Sequence, residues 1–227
     1  MSALKDVVTI LDLDGTLVDS APDLCATLNI VLESQGLEPV PLDGVRALVG
    51  EGAVAMMKKG FALQGRSFPD GDEGNALRQQ FFDYYETHST DHSTVFEGVF
   101  DALEGLQAEG AALAICTNKI ERLSHPLLEK LGLTPYFDEI ICRDTLPEHK
   151  PSGLPLRIIR ERTEKMKGVM VGDTMTDLNA ARAAGMPCAW ATFGYGSLPD
   201  DLGPEELCFD HYGELVAMVK TLSGLSV

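Results

Sequence analysis

Short apolar runs recur along the chain, and segments with helical spacing separate them. The first run, Val7–Leu11, is apolar or β-branched at every position, which is typical of a strand buried on both faces of a parallel sheet. Four further runs cover residues 111–116, 139–142, 169–171 and 187–191. Helical patterns lie between them, over residues 99–109, 120–131, 154–163 and 176–184. This alternation predicts an α/β fold with a doubly wound, Rossmann-like parallel sheet.

The stretch between the first two runs breaks this rhythm and shows only helical patterns. Residues 20–23 read as a capping box with proline in the first turn, and a helix follows up to Gly36. Its predicted buried face consists of Leu24, Leu28, Val31 and Leu32. More helices fit residues 43–49, 53–63 and 73–88. The pattern thus predicts an all-helical cap domain, residues 19–96, inserted into a core domain of residues 1–18 and 97–227.

Composition narrows the possible functions. The chain has 18 lysines and arginines against 35 aspartates and glutamates, a net charge of −17. Such a surface repels phosphate backbones and anionic lipids, so we expect no nucleic-acid or membrane partner. Five widely spaced cysteines predict free thiols in a reducing compartment. With no apolar run long enough to span a bilayer, these features predict a cytoplasmic protein.

Polar residues that can do chemistry follow the predicted strands. Ligands of an open parallel sheet bind beyond the carboxyl ends of its strands. Residues 12–16, residues 117–119 and residues 172–177 follow three of these strands, and Lys150 precedes another helix. A cluster of carboxylates at one edge is costly unless a cation neutralises it. Carboxylate oxygens with retained waters suit Mg²⁺ best, so we expect a magnesium site.

These segments also resemble the motifs of a known superfamily. Asp12-Leu13-Asp14-Gly15-Thr16, the pair Thr117-Asn118, Lys150-Pro151 and Gly172-Asp173 with Asp177 occur in the order and spacing of the four motifs of the haloacid dehalogenase superfamily. The resemblance covers essentially the whole chain. Within the superfamily, residues 19–24, the turn at residues 49–52 and Thr117-Asn118-Lys119 look like the phosphoglycolate phosphatase branch, whose helical cap follows the first motif.

The resemblance implies a role for each motif residue. It makes Asp12 the nucleophile that forms a phosphoaspartate, and Asp14 the acid and base that serves the leaving alkoxide and then the water. Lys150 would mask negative charge. Asp12, the backbone carbonyl of Asp14 and Asp173 would hold the metal, with Asp177 supporting it through water or Lys150.

The resemblance also implies a set of substrate contacts. Thr117 and Asn118 would hold phosphate oxygens at a helix N-terminus, and Gly15 would let the chain turn sharply between the two carboxylates. Lys119 from the core would approach the far end of the substrate. From the cap, the expected contacts are Arg46, Gly50 and Gly52.

The leading hypothesis is therefore a magnesium-dependent phosphomonoesterase acting on a small phosphorylated metabolite, with 2-phosphoglycolate as first choice. One alternative is a sugar-phosphate phosphatase or a phosphoglucomutase-like phosphotransferase of the same superfamily. Another, from a different class, is a phosphometabolite-binding protein without catalysis. The expected partner is a small phosphomonoester, and the chain is expected to be a monomer or homodimer.

Overall fold

A six-stranded parallel sheet forms the centre of the molecule in the computed structural model, which describes residues 2–225. Its strand order is β5-β4-β1-β6-β7-β8, so β1 lies between β4 and β6. The carboxyl ends of these three strands therefore meet at one edge, where three predicted segments begin. The strands are β1 (Val7–Leu11), β4 (Ala112–Cys116), β5 (Glu139–Ile141), β6 (Lys167–Gly172), β7 (Cys188–Ala191) and β8 (Glu206–Phe209).

Helices cover both faces of the sheet. One face packs a cluster that includes Leu11, Leu103 and Val219, and the other packs a cluster that includes Ile10 and Trp190. Burial on both faces explains why β1, β4 and β7 read as continuous apolar runs. The flanking helices are α5 (Val99–Ala108), α6 (Glu121–Lys130), α7 (Leu154–Arg162), α8 (Met175–Ala184) and α9 (Leu215–Leu222).

Four helices precede these and share a hydrophobic cluster of their own. The predicted face of the first helix is buried there, together with Phe61, Phe81 and Tyr85. Leu123 and Ile120 of the core also pack against this cluster, so cap and core are in contact. The four helices are α1 (Ala21–Ser34), α2 (Leu42–Arg46), α3 (Ala53–Leu63) and α4 (Gly71–His88).

The two segments that join these helices to the sheet pair with each other. Strands β2 (Val18–Asp19) and β3 (Thr94–Val95) form a short antiparallel ladder. Asp23 reinforces it, because its buried carboxylate accepts hydrogen bonds from the N–H groups of His92 and Ser93 and from the Ser93 hydroxyl, at 2.6–3.1 Å. The two connecting segments are therefore held together by hydrogen bonds.

The predicted fold class is confirmed, and several details differ. Strand β8 and helix α9 lie beyond the last predicted element, and β3 falls within a stretch that was expected to be wholly helical. The side chain of Ser20 does not cap α1, so the expected capping box is absent there. All five cysteines are free. No helix within residues 2–225 combines the length and apolar character required to cross a bilayer.

Candidate active site

The segment after β1 turns sharply at the sheet edge. Gly15 has φ of +87°, a conformation that side chains with a Cβ rarely adopt. A Cβ at this position would lie 2.4 Å from Asp173 Oδ2, so space as well as backbone conformation requires glycine. The turn brings residue 15 against the segment that follows β6, and it therefore joins two of the predicted motif segments.

Three buried carboxylates converge beside this turn. Asp12, Asp173 and Asp177 each offer a carboxylate oxygen, and these oxygens lie within 4.8 Å of one another. Asp12 is 5% exposed, and the other two are fully buried. The carboxylate of Asp14 is not part of the cluster found within residues 2–225. Asp14 was expected to contribute its backbone carbonyl to the metal, not its side chain. The structure thus brings three of the four motif acids to one point.

Lys150 lies between two of these acids. Its Nζ is 2.9 Å from Asp12 Oδ1 and 2.5 Å from Asp177 Oδ1, and the side chain is almost fully buried. Burial alone would lower the pKa of the ammonium group, but the charges of the two acids raise it well above its usual value. Lys150 is therefore held in its charged form.

Asp177 has both carboxylate oxygens engaged. Oδ1 faces Lys150, and Oδ2 accepts hydrogen bonds from the backbone N–H and the hydroxyl of Thr174 at 3.0 and 2.7 Å. This is a capping box at the start of α8. Its geometry agrees with an indirect role of Asp177 through Lys150, which stays a prediction.

The three carboxylates of the acid cluster carry more negative charge than Lys150 neutralises. Desolvation, together with repulsion from the other acids, raises the pKa of Asp12 to about 7 and that of Asp173 to about 8. For Asp12 the charge of Lys150 only partly offsets these effects. Asp12 Oδ1 is also buried without a hydrogen bond, and its 2.9 Å contact with Lys150 Nζ is an ion pair. Buried oxygens in surplus over cations are the donor set that a hard divalent cation requires.

Asp173 is held by two partners outside the acid cluster. Its Oδ1 accepts from the Thr16 hydroxyl at 2.8 Å, and its Oδ2 accepts from the backbone N–H of Tyr195 at 2.7 Å. Gly194 and Gly196 let this loop close around the aspartate, because a Cβ at either position would lie 2.2 or 2.1 Å from atoms of Asp173. These contacts fix the orientation of the carboxylate.

Asp14 faces the other side of the turn. Both of its carboxylate oxygens accept from Lys119 Nζ, at 2.9 and 3.0 Å, and Oδ1 also accepts from the Ser20 hydroxyl. Lys119 Nζ also donates to the hydroxyl of Tyr85, a residue of cap helix α4, at 3.0 Å. The charge of Lys119 is therefore already matched by Asp14, and Tyr85 places a cap side chain at the pair.

Asn118 and Thr117 have structural partners at the end of β4. Asn118 Nδ2 donates to the backbone carbonyls of Gly50 and Lys150, both at 3.0 Å, so its side chain links cap and core. Both amide hydrogens are thus engaged in this structure, and the expected contact of Asn118 with phosphate stays a prediction. The buried Thr117 hydroxyl accepts from the Lys119 N–H at 3.1 Å. Its own hydrogen can still be donated to a ligand.

A cleft of about 720 Å³, open to solvent, lies between cap and core at this point. Asp12, Asp14 and Lys119 line its core side, and Gly50 and Gly52 line its cap side. The remaining wall is largely apolar, formed by Leu24, Val49, Val54, Met56, Phe82, Ile120 and Leu123.

Arg46, expected to contact substrate from the cap, is not among the lining residues within the part of the chain that the structure describes. Its guanidinium group instead pairs with Asp19 at 3.1 Å and with Asp43 at 3.5 Å. The linker carboxylate of Asp19 therefore draws Arg46 away from the cleft.

Several site residues had no role assigned to them from the motifs. Arg143 lines the cleft, Tyr195 and Thr16 hold Asp173, and Tyr85 contacts Lys119. Thr16 stands within the first motif, and the pair Gly194 and Gly196 after β7 marked a close backbone approach. Arg143 and Tyr85 gave no signal, since their place depends on how the cap packs on the core.

Comparison with known proteins agrees with this geometry. A parallel α/β sheet whose edge gathers three motif acids and a lysine defines a class of hydrolases, and the model of the family described as haloacid dehalogenase-like hydrolase matches residues 9–191. The chain belongs to this family, which confirms the resemblance predicted from the motifs. In particular, it is 42% identical to a phosphoglycolate phosphatase from Caulobacter vibrioides, over 88% of this chain and 86% of that protein.

Two further comparisons cover nearly the same length. A phosphoglycolate phosphatase from Agrobacterium fabrum is 41% identical over 85% of this chain and 83% of that protein. The crystal structure of a predicted phosphoglycolate phosphatase from Haemophilus somnus superposes with a TM-score of 0.86 at 28% identity, covering 96% of this chain and 99% of that one. The similarity therefore includes the helical insertion as well as the sheet.

Proposed function

We propose that this chain is a Mg²⁺-dependent phosphatase that hydrolyses 2-phosphoglycolate through a phosphoaspartate at Asp12. The observation that carries the proposal is the buried cluster of Asp12, Asp173 and Asp177 with Lys150 beside it, which reaches the cleft through Asp12, whose Oδ1 is left without a hydrogen bond. The relatives described as phosphoglycolate phosphatases support the choice of substrate.

The first half-reaction forms a bond between an Asp12 carboxylate oxygen and phosphorus and breaks the bond from phosphorus to the glycolate oxygen. A carboxylate needs no deprotonation to attack, so Asp12 needs only orientation and a substrate with masked charge. Lys150 supplies positive charge next to Asp12. Asp14, two residues further on, is a carboxylate paired with Lys119 in this structure; it is proposed to take up a proton from solvent when the substrate binds and to give that proton to the departing alkoxide.

The second half-reaction regenerates the enzyme. Asp14, now a carboxylate, accepts a proton from a water molecule, whose oxygen attacks phosphorus and releases inorganic phosphate from Asp12. The Lys119 and Ser20 contacts hold the Asp14 side chain in place. The Thr117 hydroxyl, with one hydrogen free to donate, faces the same cleft and is proposed to bind a phosphate oxygen.

The donor set fits a magnesium ion. Asp12 and Asp173 would hold it, with Asp177 as support through Lys150 and the backbone carbonyl of Asp14 as a further proposed ligand. When bound, Mg²⁺ masks the charge of the phosphate and of the attacking carboxylate. Thr16 and Tyr195 keep Asp173 oriented for this purpose.

Residues 19–96 are proposed to act as a cap domain that closes over the acid cluster of the core domain, residues 1–18 and 97–227. Asn118 and Tyr85 already join the two parts across the cleft. Closure would exclude water during phosphoryl transfer, and opening would release the products. We propose that the enzyme works in the cytoplasm and that it is a monomer or homodimer. Size-exclusion chromatography with light scattering would test the oligomeric state.

The test is phosphate release from a panel of phosphomonoesters, with and without a chelator. We expect turnover of 2-phosphoglycolate that requires Mg²⁺ and falls at least about 10³-fold in Asp12→Asn. Asp101→Asn, at an exposed position on α5, is the matched control. Turnover that survives chelation or the Asp12 substitution would contradict the proposal.

Two outcomes would favour the other functions. Isomerisation of a sugar phosphate without net phosphate release would indicate a phosphotransferase. Binding of 2-phosphoglycolate without turnover, measured by calorimetry, would indicate a binding protein.

A further inference from the structure

A cation that no motif includes lies in the same cleft as the catalytic acids. Arg143 follows β5 and lines the cleft together with Asp14, Lys119 and Gly52. Its backbone N–H donates to the carbonyl of Lys119 at 3.0 Å, so the residue is attached to the loop at the phosphate end. From there its side chain extends to the cap.

The Arg143 guanidinium group contacts a backbone carbonyl of the cap. Nη1 donates to the carbonyl oxygen of Glu51 at 2.9 Å. The carboxylate of Glu51 does not pair with it, because that group binds Lys59 at 2.8 Å. Within residues 2–225, no carboxylate forms an ion pair with Arg143. The guanidinium group therefore presents an unmatched positive charge to the cleft, with further N–H donors available.

The other cations at this site are already matched. Lys119 is paired with Asp14, and Lys150 lies between Asp12 and Asp177. The wall beyond them is largely apolar in its side chains. An anionic group at the far end of a substrate would thus meet Arg143, a cation without a carboxylate partner among residues 2–225, whose planar fork matches a carboxylate.

The cap turn is built closely around this arginine. A Cβ at Gly52 would lie 2.9 Å from the carbonyl oxygen of Asn118 and 3.4 Å from Arg143 Nη1. Gly52 is also the N-cap residue of α3, an 11-residue helix, and Ala53 and Val54 of the first turn of this helix line the same cleft. Their N–H groups lack intrahelical partners and add a favourable field for an anion beside Arg143.

We propose that Arg143 is the residue that recognises the carboxylate of the substrate and so sets the preference for carboxylate-bearing phosphomonoesters. This inference rests on the proposed function and names the residue that binds the leaving-group end of the substrate. Arg143 would act in binding and selection, while Asp12 and Asp14 perform the chemistry.

The experiment compares two substrates of nearly the same shape, 2-phosphoglycolate and 2-hydroxyethyl phosphate, which lacks the carboxylate. For the wild type we expect the higher kcat/KM on 2-phosphoglycolate. In Arg143→Gln the ratio of the two kcat/KM values should fall by about 10- to 100-fold, the value of losing hydrogen bonds to a charged group. The change should fall mainly on the KM for 2-phosphoglycolate, and Arg143→Lys should restore part of the ratio.

A merely structural role would give a different result. If Arg143 only fixed the cap turn through Glu51, Arg143→Gln would lower both kcat/KM values together and keep their ratio, which would overturn the inference. Arg157→Gln, an exposed arginine on α7, controls for the loss of one positive charge, and thermal melting confirms folding. A wild type that shows no preference for the carboxylate would also overturn it, and a wild type with no phosphatase activity would instead refute the proposed function.

Discussion

At the scale of single residues, the site depends on charges placed where water is excluded. Lys150 is buried between Asp12 and Asp177, so neither acid can lose it without becoming an uncompensated buried group. The same residue links Asp12, the proposed nucleophile, to Asp177, which caps α8. Its removal should therefore disturb catalysis far more than the loss of a surface lysine.

We expect Lys150→Met to lower kcat by about 10²- to 10³-fold, as removal of one group that stabilises developing charge does elsewhere. Lys58→Met, on the exposed side of α3, is the control and should keep wild-type kinetics. Steady-state phosphate release measures both. An Lys150→Met variant with more than half of the wild-type kcat would contradict the assigned role.

The turn at Gly15 gives a second prediction at this scale. Gly15→Ala combines an unfavourable φ of +87° with a Cβ 2.4 Å from Asp173 Oδ2, so it should displace Asp173 and abolish metal-dependent activity. Gly36→Ala is the matched control, because Gly36 has φ of +66° and no atom within 4 Å of a Cβ. It should cost only about 1 kcal/mol of unfolding free energy and keep full activity. Equal effects in the two variants, by urea denaturation and activity assay, would show that proximity to Asp173 is irrelevant.

At the scale of elements, the connections between cap and sheet are fastened by a side chain whose role differs from the expected one. Asp23 stands where a capping box predicts a bond back to the start of α1. It instead binds the N–H groups of His92 and Ser93 across the linker pair. Ser20, the expected cap, donates to Asp14. Both residues of the expected capping box therefore form long-range hydrogen bonds instead of capping α1.

Asp23→Ala should lower the free energy of unfolding by about 3 kcal/mol, because it leaves the buried N–H and hydroxyl donors of Ser93 without an acceptor. Asp43→Ala removes an acid of the same cap that is 95% exposed, and should change stability by less than about 0.5 kcal/mol. Urea denaturation of both variants provides the comparison. A loss below about 1 kcal/mol in Asp23→Ala would mean that the linkers are not held by this carboxylate.

The strands and helices differ in how far the sequence predicts them. Strands buried on both faces, such as β1 and β4, were predictable because every position is apolar or β-branched or, in β4, a small or thiol side chain. Strand β8 was missed, since it lies at the edge of the sheet and only Phe209 is fully buried. The acids at the strand ends were predictable from topology alone, whereas Arg143 was not, because its place in the cleft requires the cap turn at Glu51.

At the scale of the whole molecule, we expect the binding of a cation to be coupled to folding through pH. The pKa of Asp12 rises to about 7 and that of Asp173 to about 8 on folding, chiefly through desolvation. A group with a raised pKa in the folded state contributes stability below its ordinary pKa, and this contribution is lost as the pH rises through the folded-state value. The metal-free protein therefore loses this stability towards alkaline pH.

We expect the increase in Tm caused by Mg²⁺ to grow from about pH 5 to about pH 8.5, because ionised Asp12 and Asp173 both attract the cation and destabilise the metal-free fold. Differential scanning fluorimetry with Mg²⁺ or with chelator measures this. Asp173→Asn should remove most of the pH dependence. An increase in Tm that is constant or shrinks over this range would contradict the metal assignment.

The proposed phosphatase mechanism depends on Asp12 acting as a nucleophile within the acid cluster. The most direct measurement is acid quenching of the enzyme during turnover of 2-phosphoglycolate with Mg²⁺, followed by peptide mass spectrometry. We predict a phosphoryl group on the peptide that contains Asp12, located at that residue, and none in Asp12→Asn. Phosphate release with no phosphoryl group on Asp12, or with the group on another residue, would contradict the account.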